Sequence, residues 1–145
     1  MSSLAPRLQV IVDALELRPG LRVVEIGCGP GAASREVARR VAPGGHVLAV
    51  DRSASAIDQV RRSGAELIAA GLLSVRHCDV EELVLAPGEA PYDLAFAVRV
   101  GALDGRHPAA GRRALARLRD VLAPHGRLFI DGGAPLVEIE LPARE

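Results

Sequence analysis

The feature that most constrains the fold of this chain is a glycine-rich turn between a strand-like and a helix-like segment. The β-branched run Arg22–Ile26 ends at Gly27, and the cluster of Gly27, Gly29 and Gly31 leads into the helical stretch Ala32–Val41. Glycines let the backbone approach a ligand closely, and a helix start offers free N–H groups. The turn is therefore predicted either to bind a ligand or to be a plain strand-to-helix connection.

The remainder of the chain repeats the alternation of strand and helix. Helices are predicted after Pro6, from a cap at Ser53 or Ser55 to about residue 70, and over 112–122, with a loop over 101–111. Further strands are predicted over 46–50, 73–78, 92–98 and 128–130. This order predicts an α/β fold in one domain over residues 1–145, a doubly wound and mostly parallel sheet with helices on both faces. Ligands bind such sheets at the carboxyl ends of the strands.

Composition narrows the possible partners. The 18 basic and 18 acidic residues leave a formal net charge of +0, and the absence of a long basic run argues against nucleic-acid binding. No apolar run approaches ~18 residues, and residues 1–6 do not resemble a signal peptide, so we expect a cytoplasmic protein without a membrane partner. Two cysteines and four scattered histidines predict no metal site.

Two ligand classes fit the glycine-rich turn. The spacing Gly27-x-Gly29-x-x-Ala32, with Asp51 about 20 residues further on, satisfies the dinucleotide fingerprint of NAD(P)-dependent oxidoreductases. Against this, Glu25 lies inside the strand, where a dinucleotide fold normally has an apolar residue. A carboxylate there would repel a pyrophosphate and would favour a cationic ligand.

The same residues resemble the class I methyltransferases that use S-adenosyl-L-methionine. Their first motif, an acidic residue followed by Gly-x-Gly-x-Gly, is matched by Glu25 and the three glycines. The triplet Cys78-Asp79-Val80 resembles the family's adenine-binding acid and its apolar neighbour. Residues 118–128 resemble the family's turn into the fifth strand, with His125 where the family usually has glycine. The resemblance covers residues 15 to 131.

The resemblance implies a set of cofactor-binding residues: Glu25, Gly27, Cys28, Gly29, Gly31, Asp51, Arg52, Asp79, Val80 and Val98. In this set Asp51 would accept hydrogen bonds from the ribose hydroxyls, and Asp79 would accept one from the adenine amino group. Val80 and Arg52 would pack against the adenine ring, and Glu25 would hold the cationic methionine end.

Structural roles compete with several of these assignments. Asp51 could instead be a favourable charge at a helix N-terminus. Asp79 could cap the turn at Glu81, and Cys28 is expected to fill the loop as a small residue rather than to act as a nucleophile.

Catalytic residues are not identified by the sequence. Methyl transfer is an in-line displacement that depends mainly on proximity and orientation. His107 is a candidate base, and Arg99 could bind a carboxylate or phosphate of the acceptor. His107 is more simply explained as a solvated loop residue, and Arg99 could equally pair with Asp104 or Asp93. Residues 97–100 lack the Asn/Asp-Pro-Pro-aromatic motif of many amine and nucleobase methylators, so the resemblance implies a small-molecule acceptor.

The end of the chain departs from the family pattern. After the fifth strand the family continues with a helix and an antiparallel strand pair, whereas this chain continues only over 132–145, with a strand-like alternation over 136–141. That strand could fold back beside the fifth strand or reach a neighbouring subunit. An uncovered edge predicts a homodimer through the C-terminal edge of the sheet. The same shortening leaves open a non-catalytic module that binds S-adenosylmethionine or S-adenosylhomocysteine as a partner subunit.

Overall fold

The computed structural model describes residues 4–144. Its strands are β1 Arg22–Ile26, β2 His46–Asp51, β3 Leu73–His77, β4 Tyr92–Ala97, β5 Leu122–Asp131 and β6 Leu136–Ile139. Its α-helices are α1 Pro6–Ala14, α2 Ala32–Val41, α3 Ala54–Ser63, α4 Ala65–Ala69 and α5 Pro108–Val121. Within this part of the chain no helix has the length and apolar character needed to cross a membrane.

The six strands form one sheet in the order β3-β2-β1-β4-β5-β6. The first five are parallel, and β6 runs antiparallel to β5. Ile26 at the end of β1 pairs with Val50 on one side and with Ala97 on the other. The three central strands therefore end level with one another, and the residues that follow them meet at one edge of the sheet.

Helices cover both faces of the sheet, as the sequence predicts. On one face α1, α2 and α3 pack their apolar stripes, including Val12, Val37 and Val60, against the strands. On the other face α5 packs Leu118 and Val121, together with the segment after β3. The strands are buried from both sides, which explains their nearly continuous apolar composition.

Two predicted helix boundaries are wrong. The helix expected to run to residue 70 is interrupted at Gly64. A Cβ there would lie 2.6 Å from Leu73 Cδ2 of β3, so packing favours glycine at this position, and glycine in turn disfavours a continuous helix. The predicted loop over 101–111 is shorter, since α5 begins at Pro108, and proline is favoured in the first turn of a helix. Gly111 lies inside α5, where a side chain would press on the carbonyl oxygen of Ala102 at 2.8 Å.

The strand boundaries also differ from the predictions. β4 ends at Ala97 and β3 at His77, one residue earlier than predicted, and β2 extends to Asp51. β5 is far longer than the predicted 128–130, because it begins at Leu122, before the Pro-His-Gly turn. Its pairing with β4 is irregular at this turn: Tyr92 pairs with Leu122, whereas Leu94, two residues later, pairs with Arg127.

The C-terminal strand folds back onto its own chain. Leu136 pairs with Asp131 and Ile139 with Leu128, so β6 covers the edge of β5. Of the two predicted positions for this strand, the structure has the one beside the fifth strand.

Candidate functional site

A cleft of about 570 Å³ opens where the parallel strands end. Five segments line it, and each lies at a carboxyl end of a strand or at the start of α5: residues 26–27, 50–52, 78–81 and 99–102, and Arg106, His107 and Ala110. This is the location that a doubly wound sheet offers to ligands, and the volume is typical of small-molecule sites.

The three glycine positions of the turn differ in how much space the surrounding protein leaves for a side chain. All three have positive φ, +69° at Gly27, +54° at Gly29 and +89° at Gly31. A Cβ at Gly27 would lie 2.7 Å from Val100 Cγ2, and one at Gly31 would lie 2.8 Å from Val60 Cγ2. A Cβ at Gly29 would meet nothing within 4 Å. Packing within the protein therefore requires Gly27 and Gly31, whereas Gly29 leaves open space.

Asp51 ties the glycine turn to the end of β2. Its Oδ2 accepts a hydrogen bond from the backbone N–H of Gly29 at 2.9 Å, and its Oδ1 accepts one from Ser53 N–H at 2.8 Å. Each carboxylate oxygen has two acceptor positions, so both can still accept from a ligand. The side chain lines the cleft and orients the turn at the same time.

Glu25 lies beneath the glycine turn and does not line the cleft. It is 4% exposed, and its Oε1 accepts a hydrogen bond of 2.5 Å from Ser34 Oγ in the first turn of α2. Burial raises the pKa of this carboxyl to about 8, although the bond from Ser34 acts in the opposite direction. Glu25 thus connects β1 to the start of α2 from below.

Asp79 and Val80 both reach the cleft. Asp79 Oδ1 accepts a hydrogen bond from Glu81 N–H at 3.0 Å and caps a short 3-10 turn, Val80–Glu82. The capping role considered from the sequence is therefore real, and it occupies one of the two carboxylate oxygens. Val80 is 6% exposed and joins the core below the cleft.

The two cysteines are free thiols in apolar surroundings. Cys28 is buried and lies outside the cleft lining, and burial raises the pKa of its thiol to about 12. Cys78 is half-buried at the cleft wall, and burial also raises the pKa of its thiol. Neither environment favours a thiolate nucleophile.

Arg99 and His107, the two candidates for work on the acceptor, line the same cleft. The alternative pairings of Arg99 do not occur: Asp104 binds Arg106, with Nε to Oδ2 at 2.8 Å, and Asp93 binds His125 at 2.7 Å. His107 is exposed and directly precedes α5.

The sequence missed part of the wall after β4. Val98 was predicted to contact the cofactor, but it packs half-buried against the apolar layer of α1–α3 and does not line the cleft. Val100, Gly101 and Ala102 form that wall instead. Val100 packs closely against Gly27, and this contact places residues 100–102 beside the glycine turn. No pattern in the sequence predicts a contact between residues so far apart in the chain.

Arg52, which was expected to pack against the adenine ring, lines the cleft next to Asp51. Residues 4–144 contain no group of three or more His, Cys, Asp or Glu side chains placed to hold a metal ion.

Comparisons with known proteins agree with this geometry. A family described as "Methyltransferase domain" matches residues 23–126. An uncharacterized protein of transposon TN4556 from Streptomyces fradiae is 38% identical over 121 residues, which is 83% of this chain and 32% of that protein. Nocamycin O-methyltransferase from Saccharothrix syringae is 33% identical over 132 residues, 90% of this chain and 44% of that enzyme.

A solved structure has the same fold. The SAM-dependent methyltransferase from Thiobacillus denitrificans, in complex with S-adenosyl-L-homocysteine, superposes with a TM-score of 0.66 at 25% identity. The match covers 88% of this chain and 48% of that structure. The chain thus spans less than half the length of these relatives. Because the family match covers most of the sheet, including the glycine turn and the ends of β2 and β3, the chain belongs to the methyltransferase-domain family.

Proposed function

We propose that the cleft binds S-adenosyl-L-methionine and that the chain transfers its methyl group to a small-molecule acceptor. One observation carries the proposal: Gly27, the first residue of the glycine turn, lines one cleft together with Asp51 and Asp79, and the three residues follow three different strands. The volume of about 570 Å³ suits a nucleoside cofactor. The relatives named as SAM-dependent and O-methyltransferases support the same assignment.

The residues present fit the nucleoside part of this cofactor. Asp51 has acceptor positions for the two ribose hydroxyls beyond those that hold the glycine turn. Asp79 Oδ2 has no hydrogen-bond partner among residues 4–144 and can accept from an adenine amino group. Val80 offers an apolar surface to the ring, and Arg52 lines the same cleft next to Asp51. Gly29 leaves the space above the turn open.

Glu25 receives a different role from the one the sequence suggests. Its carboxyl is buried under the turn and bound to Ser34, so we propose that it positions the turn and the start of α2. The predicted direct contact of Glu25 with the methionine end would need a rearrangement of this hydrogen bond.

Catalysis in this proposal depends on orientation. The cofactor supplies a methyl group activated by a sulfonium, and the protein holds the acceptor in line with it. The walls formed by residues 99–102 and by the start of α5 are the surfaces left for the acceptor. His107 lies at that rim and would take a proton from an acceptor that must lose one to react.

The test is a calorimetric titration of the protein with S-adenosylhomocysteine, with NAD as the competing ligand class. We expect saturable binding of S-adenosylhomocysteine and none of NAD. Asp51→Ala should weaken binding ~10-fold or more, because it removes charged acceptors of ligand hydrogen bonds. The matched control is Asp58→Ala, at an exposed carboxylate of α3 that pairs only with Arg61 among the described residues.

Three outcomes are informative. Equal affinity in Asp51→Ala and wild type would contradict the proposed site, and binding of NAD alone would favour an oxidoreductase. Binding of the cofactor without methyl transfer to any acceptor in a broad panel would favour a non-catalytic binding module.

We further propose a homodimer through the free edge of β6. With β5 covered by β6, the four-residue strand β6 is the outer strand of the sheet and presents unpaired backbone groups. Light scattering should give twice the chain mass of 15.2 kDa, and a mass of 15.2 kDa would contradict the dimer.

We also propose a cytoplasmic location. The free thiols of both cysteines favour a reducing compartment.

A further inference from the structure

Charged residues of both signs line the cleft, and Arg52 and Glu81 lie next to the two aspartates of its β2–β3 side. The carboxylates of Asp51 and Asp79 lie at the ends of β2 and β3, where the nucleoside is proposed to bind. The opposite wall, after β4 and at the start of α5, carries Arg99, Arg106 and His107. That wall is the part of the cleft left for the reacting end of the cofactor and for the acceptor.

Arg99 is held in an unusual backbone conformation. Its φ is +59°, in the left-handed region that residues other than glycine rarely adopt. Its N–H donates to Asp131 Oδ1 at 3.0 Å, and Asp131 Oδ2 binds Arg7 Nη2 of α1 at 3.0 Å. Asp131 at the end of β5 therefore fixes the backbone at Arg99, one of the residues that line the cleft.

The guanidinium of Arg99 has no ion pair or hydrogen bond with any residue in 4–144. The nearby Asp104 is bound to Arg106 through both carboxylate oxygens. An arginine carries five N–H donors in a planar fork that matches a carboxylate or a phosphate. A positioned but unpartnered guanidinium in a cleft is a binding group for such an anion.

We propose that Arg99 is the anion-binding side chain of this cleft and that it takes an oxyanion, a carboxylate or phosphate. This inference rests on the proposed function, and the anion has two possible sources. It is either the methionine carboxylate of the cofactor or an acidic group of the methyl acceptor. Asp131 is a positioning residue for this contact.

The experiment compares wild type, Arg99→Gln, Arg99→Lys and the control Arg62→Gln, at an exposed arginine of α3 outside the cleft. Each protein is titrated with S-adenosylhomocysteine, which has the carboxylate, and with 5′-methylthioadenosine, which lacks the whole amino-acid part. In a second arm, inorganic phosphate is added to the S-adenosylhomocysteine-loaded protein at constant ionic strength, and the rise in Tm is measured.

If Arg99 binds the carboxylate of the cofactor, Arg99→Gln should lower the affinity for S-adenosylhomocysteine ~10-fold or more and leave the affinity for methylthioadenosine unchanged. Arg99→Lys keeps the positive charge and should retain part of the affinity for S-adenosylhomocysteine. An acceptor anion predicts that both nucleosides bind as in wild type and that the phosphate-dependent rise in Tm is lost only in Arg99→Gln.

The proposal is overturned if Arg99→Gln behaves as wild type in both arms of the experiment. It is also overturned if Arg99→Gln lowers the affinity for both nucleosides equally, or if the control Arg62→Gln has the same effects as Arg99→Gln. Should wild type bind neither nucleoside, the proposed cofactor site fails. In that case the phosphate-dependent rise in Tm is measured on the unliganded protein. A rise in wild type that is lost in Arg99→Gln would still show that Arg99 binds an anion, and equal rises would overturn the proposal.

Discussion

The buried carboxyl of Glu25 should make the stability of this protein fall between pH 5 and pH 8. Burial raises the pKa of Glu25 from 4.5 to about 8, so the folded chain holds this proton much more tightly than the unfolded chain. Below pH 4.5 the carboxyl is protonated in both states and its contribution is fully present. As pH rises toward 8 only the unfolded chain loses the proton, and this contribution is lost.

The size of the effect follows from the same values. One pKa unit corresponds to about 1.4 kcal/mol, so the full displacement gives an upper figure of about 5 kcal/mol. Part of this displacement falls outside the window from pH 5 to pH 8, and relaxation of the protein around a buried charge reduces such figures further, so we expect a loss of about 2–3 kcal/mol over this window. That is a large part of the stability of a domain of this size.

Glu25→Gln isolates this contribution. Glutamine keeps an oxygen that can accept the hydrogen bond from Ser34 but cannot ionise. The variant should be close to wild type or slightly less stable at pH 5, and more stable than wild type by about 2 kcal/mol or more at pH 8. Taking the difference between variant and wild type cancels the titration of the other groups.

The assay is urea unfolding followed by far-UV circular dichroism at pH 5, 6, 7 and 8. Circular dichroism is the suitable probe because the chain has no tryptophan and only one tyrosine. Glu66→Gln, the same substitution at an exposed carboxylate of α4, is the matched control. A difference for Glu25→Gln that stays constant within about 0.5 kcal/mol over this range would refute the reasoning.

Two further predictions concern the glycine turn and the thiols. Gly31→Ala should destabilise the protein by about 2–4 kcal/mol, because its φ is +89° and the new Cβ would lie 2.8 Å from Val60, whereas Gly29→Ala should cost only about 1–2 kcal/mol. Urea unfolding measures both, and equal losses would contradict the packing difference. A thiol reagent at pH 8 should label Cys78 well before Cys28, and S-adenosylhomocysteine should slow the labelling of Cys78 at the cleft wall. Faster labelling of Cys28, followed in single serine variants, would contradict the burial described here.

Local patterns predicted the central part of the fold. The boundaries of β1 and α2 match the sequence prediction. The signals that set them, the β-branched run, the glycines and the helical spacing of apolar residues, are all local in the sequence. The position of Asp51 and Asp79 at one cleft also followed from the sequence, since parallel strands place their carboxyl ends at one edge.

Long-range packing explains what the sequence did not predict. Gly64 separates two helices at a point where Leu73 of β3 leaves no room for a side chain, and the irregularity of β5 is seen only in its pairing with β4. Glu25 carries the sequence signal of a cofactor contact, yet its burial under the turn depends on the position of Ser34 in α2. The conformation of Arg99 depends on Asp131, 32 residues away in the chain.

The most direct test of the proposed cofactor site is a crystal structure of the protein with S-adenosylhomocysteine. We predict the ribose hydroxyls within hydrogen-bond distance of the Asp51 carboxylate, about 2.6–3.2 Å, and the adenine amino group at Asp79 Oδ2. Ligand density away from the ends of β2 and β3, or a nucleoside that contacts neither aspartate, would contradict the proposed site.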